Sequence, residues 1–94
     1  MSLRAGRFTF PYVTYDGPSD ILYASTRPQR SQGTREQTPE RHFLRYDEEG
    51  RFVGLTLVEP RSQLERDGAV YVSLPSGERV RVQGIELELR GAGP

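Results

Sequence analysis

The sequence predicts a mainly β protein: an antiparallel meander of about six or seven short strands, forming a small open sheet or barrel, with at most one or two short helical turns. Three observations predict it. Apolar and polar residues alternate with period two in several short runs, which is the pattern of a strand with one face inward. The runs are separated by "DGPSD" (16–20), "DEEG" (47–50) and "PSGE" (75–78), whose Asp, Gly, Pro and Ser suit hairpin connections. Only "PRSQLERDG" (60–68) carries helix punctuation, a proline suited to the first helical position and a glycine stop.

Taken in order, "RFTFPYVTY" (7–15) alternates in part, with Pro11 placing it at an edge or breaking it there. With "ILYAST" (21–26) it predicts a hairpin across 7–26. The segment 27–40, "RPQRSQGTREQTPE", has no large apolar residue and predicts a flexible polar loop. "RHFLRY" (41–46) and "RFVGLTLVE" (51–59) predict a second hairpin. In the latter, Val53, Leu55 and Leu57 share one face and Phe52, Thr56 and Val58 the other, so this strand is expected at the centre of a sheet and covered on both sides. Gly54 marks a close neighbour or a bulge. "AVYVSL" and "RVRVQ" complete a third hairpin across 69–83. "GIELELR" (84–90) reads as a strand by alternation; a short helix joining Ile85 to Leu89 competes with it.

The 94 residues fit one domain, 1–94, with one modest core. No cysteine is present, which excludes disulfides, thiolate metal ligands and a cysteine nucleophile. No apolar run approaches the ~20 residues of a membrane span, and "MSLRAGRFTF" lacks a signal-peptide core, so a soluble, cytoplasmic protein is expected. All 13 basic residues are arginine, balanced by 13 acids. Residues 1–46 carry a net charge of +3 and residues 47–94 a net −3, an asymmetry that could orient one copy against another.

Candidate chemistry is sparse. Asp16 and Asp20 offer too few oxygens for calcium and read as turn residues, so no metal and no cofactor is expected. His42, the single histidine, has no nucleophile presented to it by a recognisable motif and reads as a packed strand residue on the face of Leu44 and Tyr46. No phosphate loop or dinucleotide fingerprint occurs. The candidate contact residues are Arg41, Phe43 and Arg45, which alternate on one face, and Arg79 and Arg81, which share another. Arginine beside an exposed aromatic is a surface that suits single-stranded nucleic acid.

"YDGPSDILYAS" followed by "LRYDEEGRFVGLTLVEP" resembles the small bacterial domain-of-unknown-function family 2283, over roughly residues 12–66. Tyr15, Asp16, Asp20, Leu22 and Tyr23, then Tyr46, Asp47, Gly50, Val53, Gly54 and Leu55, carry the resemblance. It implies a fold and assigns no catalytic residue. The long middle loop and the extension "AVYVSLPSGERVRVQGIELEL" depart from the family's layout.

The expectation is a non-enzymatic β module that self-associates as a homodimer or small homo-oligomer, or binds another protein, because its strands carry more apolar residues than one thin sheet hides. The alternative is a nucleic-acid-binding module using the Arg-rich 27–45 segment. A third class, a small enzyme or ligand-binding barrel, would need a pocket with convergent polar groups.

Overall fold

A computed structural model describes residues 2–28, 33–86 and 89. Nine strands and one helix are assigned among them. They are β1 (Leu3–Ala5), β2 (Phe8–Phe10), β3 (Tyr12–Asp16), β4 (Ile21–Ser25), β5 (Arg35–Gln37), β6 (Phe43–Tyr46) and β7 (Phe52–Val58). Helix α1 (Pro60–Asp67) follows, then β8 (Tyr71–Ser73) and β9 (Arg79–Gln83). Mainly β and antiparallel, as predicted, the strands form two open sheets rather than one meander: β2-β1-β9-β8 and β3-β4-β7-β6-β5.

The three predicted hairpins are present, with shorter limits. β3 pairs with β4, β6 with β7 and β8 with β9. Pro11 does more than mark an edge. It stands between β2 and β3, which belong to different sheets, so the expected single strand 7–15 is two strands joined at a residue that cannot donate to a ladder. β1 was not foreseen. It turns through Gly6 and Arg7 into β2, with Gly6 at φ 60°, and its other edge pairs with β9 near the far end of the chain. The predicted loop 27–40 contains β5, a fully exposed edge strand, and a turn in which the Arg41 amide donates to the Thr38 carbonyl at 2.9 Å. Residues 29–32 of that loop lie outside the described residues.

One core joins the sheets. Leu22, Ala24, Leu44, Leu55 and Leu57 from the five-stranded sheet meet Leu3, Ala5, Phe10, Val72 and Val82 from the other. Phe52 stands edge-on to Phe8 and Phe10, with ring centroids 4.9 and 5.9 Å away. That contact corrects the predicted facing of β7. The ladder between β6 and β7 pairs Arg45 with Gly54 but Tyr46 with Phe52, so a bulge removes Val53 from the alternation. Phe52 therefore turns into the core, and Val53 turns to the opposite side. The strand is central as expected, but among the described residues no element covers its Thr56 and Val58 side.

Helix α1 begins at Pro60 and ends at Gly68, whose N–H donates to the Leu64 carbonyl. Its first turn has no cap from Glu59. The Asp20 carboxylate supplies one from across the molecule, accepting from the Arg61 N–H at 3.1 Å, the Ser62 N–H at 3.2 Å and the Ser62 hydroxyl at 2.9 Å. At the C-terminal end Ile85, Glu86 and Leu89 are helical rather than extended, and Ile85 and Leu89 are both buried; residues 87, 88 and 90 lie outside the described residues. Among the described residues no helix is long and apolar enough to cross a membrane.

Candidate binding face

The outward side of the five-stranded sheet is built from every second residue of its strands. Its ladder aligns Gln37, Phe43, Thr56, Tyr23 and Thr14 in one row across all five strands. The next row holds Arg35, Arg45, Gly54, Ser25 and Tyr12. A shorter third row holds Val58, Ile21 and Asp16. Phe43, Tyr23, Ile21, Thr56 and Val58 are half-buried, and Tyr12 is 48% exposed. The face is thus apolar and aromatic at its centre, with hydroxyls interleaved.

Gly54 opens a cleft in the middle row. A Cβ there would stand 2.5 Å from the Ala24 carbonyl oxygen, so only glycine lets β4 and β7 pair at this register. The resulting depression, about 140 Å³, is lined by Tyr12, Thr14, Tyr23, Ser25, Arg45 and the bulged Val53, among others.

Charge on the face is polarised. Arg35 and Arg45 are directly opposite each other on β5 and β6, and among the described residues no carboxylate pairs with either. The Arg35 guanidinium instead lies over the Phe43 ring, 4.8 Å from its centroid. At the rim Arg27 approaches Oδ2 of buried Asp47 at 3.2 Å, an ion-pair distance without hydrogen-bond alignment. The other Asp47 oxygen accepts the Arg51 and Glu49 N–H groups, both at 2.9 Å. Those amide donors, the Arg51 one foremost, hold its carboxyl below the usual carboxylate range despite burial. Asp16, at the far corner on β3, is the one carboxylate in the three rows, and it accepts the Ser19 hydroxyl at 2.5 Å.

Of the five residues singled out from the sequence, Phe43 and Arg45 come together on this face. Arg41 does not join them. It takes φ 71° in the turn before β6, outside the strand whose alternation would have aligned it. Arg79 and Arg81 lie on the outward side of the other sheet, and each has an acidic partner, Glu40 at 3.5 Å and Glu86 at 4.0 Å. Glu40 is itself held by the Ser73 N–H and hydroxyl at 2.9 and 2.8 Å. Burial pushes the Glu40 carboxyl up, but the Ser73 and Thr38 hydrogen bonds outweigh it and keep it low. Tyr12, Tyr23 and Arg35 were not singled out. Period two along 12–16 and 21–25 was their signal, but alternation alone does not tell which side is covered.

His42 is fully buried. Its Nδ1 accepts the Val58 N–H at 3.0 Å, so Nε2 carries the proton and donates to the Gln63 Oε1 at 3.1 Å. Burial lowers its pKa, which the Gln63 hydrogen bond and the Glu40 charge only partly oppose. His42 is packed as expected but stands one residue before β6 rather than in the strand, and its two ring nitrogens tie it to β7 and α1. Among the described residues no group of three or more His, Cys, Asp and Glu side chains is placed to hold a metal ion.

Compared with protein families, with curated proteins and with solved structures, the chain matches none.

Proposed function

We propose that this protein is a non-enzymatic, self-associating β module whose working surface is the outward face of the five-stranded sheet. One observation carries the reading: the three central strands β4, β7 and β6 present Ile21, Val58 and Phe43, with the Thr56 hydroxyl among them, on a side that no element covers among the described residues. The other sheet supplies the contrast. Its outward residues are mainly polar, Arg4, Thr9, Ser73, Arg79 and Arg81, with both Arg79 and Arg81 ion-paired, and its one exposed aromatic, Tyr71, lies under the Arg79 guanidinium at 4.8 Å. An uncovered apolar sheet face gains roughly 25 cal/mol for each Å² of apolar surface that a partner removes from water.

Size exclusion with light scattering tests it. A mass twice that of the 10.7 kDa chain, falling towards one on dilution, is the expected result; a monomer throughout would defeat the reading. A second reading, single-stranded nucleic acid on the same face, is favoured by the adjacent Arg35 and Arg45 beside Phe43. With no tryptophan and five tyrosines, the protein absorbs weakly in the ultraviolet, so bound nucleic acid would raise the absorbance ratio across the peak. Salt-sensitive retention that Phe43→Ala and Arg45→Ala abolish would support that second reading.

A further inference from the structure

The positions of the few charges on the open face go further than self-association, on which this inference rests: they select how two copies meet. We propose that a second copy of the chain docks about a two-fold axis lying in the plane of the face, so that Asp16 of each copy meets Arg35 and Arg45 of the other.

Closed dimers are two-fold, and the same patch then serves on both sides. For two sheet faces the axis can run along the strands, across them, or along either diagonal. The ladder fixes where the charges stand. Arg35 and Arg45 lie on β5 and β6, in the row of Gly54, Ser25 and Tyr12. Asp16 lies on β3, at the opposite edge of the sheet and two rows away, in the row of Ile21 and Val58. With strands about 4.8 Å apart and rows about 6.8 Å apart, these groups occupy opposite corners of a patch roughly 20 Å across.

An axis along the strands sets Arg35 against the partner's Tyr12. An axis across the strands sets Asp16 against the partner's Tyr12. An axis along the diagonal that joins the corners sets arginine against arginine and aspartate against aspartate. The remaining diagonal sets Asp16 against the arginine pair at both ends of the interface and leaves Thr56 and Phe43 to pack between them. It is the arrangement of the four that pairs every charge in the three rows. Asp16 is exposed, and Arg35 is exposed and without a carboxylate partner among the described residues, so neither has to break an internal ion pair. A patch of this size falls at the low end of specific interfaces, and a dimer that dissociates at micromolar concentration is expected.

Charge reversal on the full chain, read by sedimentation equilibrium, tests the arrangement. Asp16→Arg and Arg45→Glu should each raise the dimer dissociation constant about tenfold or more, because the first faces an arginine pair with a third arginine and the second sets a carboxylate against Asp16 and neutralises Arg35 beside it. The double variant carrying both should dimerise more tightly than either single variant, since the pair of positions 16 and 45 is restored with its signs exchanged while Arg35 keeps its charge. Circular dichroism checks that each variant folds. The neutral variants Asp16→Asn and Arg35→Gln give a second reading, with weaker dimers and a shallower salt dependence than wild type. A wild-type dimer that neither reversal weakens, or two weakened variants with no recovery in the double, would overturn the diagonal arrangement while leaving self-association standing. A wild-type monomer at every concentration would overturn both.

Discussion

Asp20 links two parts of the chain that are distant in sequence. It ends the β3–β4 connection at φ 55°, accepts the Tyr15 hydroxyl at 2.8 Å and caps α1 through Arg61 and Ser62. Burial pushes its carboxyl up, but these donors prevail and hold it below the usual value. Asp20→Ala is expected to cost about 1–3 kcal/mol in chemical denaturation, the sum of a lost cap and orphaned donors. His42 makes the opposite kind of pH statement. Its folded pKa lies below the ordinary 6.5, so the unfolded chain binds the proton more tightly. Its contribution is complete above pH 6.5 and is lost as the pH falls through that value towards the folded pKa. Asp20, Glu40 and Asp47, also depressed, add their own losses only below about pH 4.5. Unfolding free energy measured between pH 7 and 5 should therefore decline in wild type and stay flat in His42→Gln, which is itself destabilised by about 1–3 kcal/mol at pH 7. A flat wild-type profile would contradict a buried neutral imidazole. None of these partners was legible beforehand. Asp in a turn signals local hydrogen bonding, and beside the nearby Tyr15 the donors that Asp20 serves in α1 lie 41 and 42 residues away.

At the scale of elements, what could be read was local. The hairpins β3–β4, β6–β7 and β8–β9 and helix α1 follow from alternation, turn residues and Pro60 with Gly68. β1 could not be read because three residues, Leu3–Ala5, are too few for a period, and their second partner is β9. The C-terminal segment reads both as strand and as helix because Ile85 and Leu89 satisfy both a period of two and the i, i+4 spacing, and the structure takes the helix at Ile85, Glu86 and Leu89. The bulge in β7 is the most consequential difference. A one-residue slip exchanges the faces of a strand, and here it sends Phe52 to the aromatic cluster with Phe8 and Phe10 and opens the Gly54 cleft. Gly54→Ala is expected to strain the β4–β7 pairing against the Ala24 carbonyl and to lower stability by about 1–3 kcal/mol in denaturant titration. Phe52→Ala should cost more, about 3–5 kcal/mol, if the ring belongs to the core as described.

For the whole molecule, the two sheets share one core and differ in their outward faces. Sequence alternation placed Phe43 and Arg45 together, and composition indicated more apolar residues than one sheet hides. Which strands contribute to the open face depended on the sheet order β3-β4-β7-β6-β5, and that order is set by non-local pairings between β4 and β7. For that reason alternation alone does not place Tyr12, Tyr23 and Arg35 on the open face, nor separate from it Arg79 and Arg81, which are ion-paired on the other sheet. Self-association as proposed puts the contact between copies on the open face of the five-stranded sheet. Sedimentation equilibrium on Thr56→Glu and Thr9→Glu tests it most directly, because each puts one carboxylate on the outward side of a different sheet. Wild type and Thr9→Glu are expected to dimerise alike while Thr56→Glu is monomeric at the same concentration. A Thr56→Glu variant that dimerises as well as wild type would contradict it.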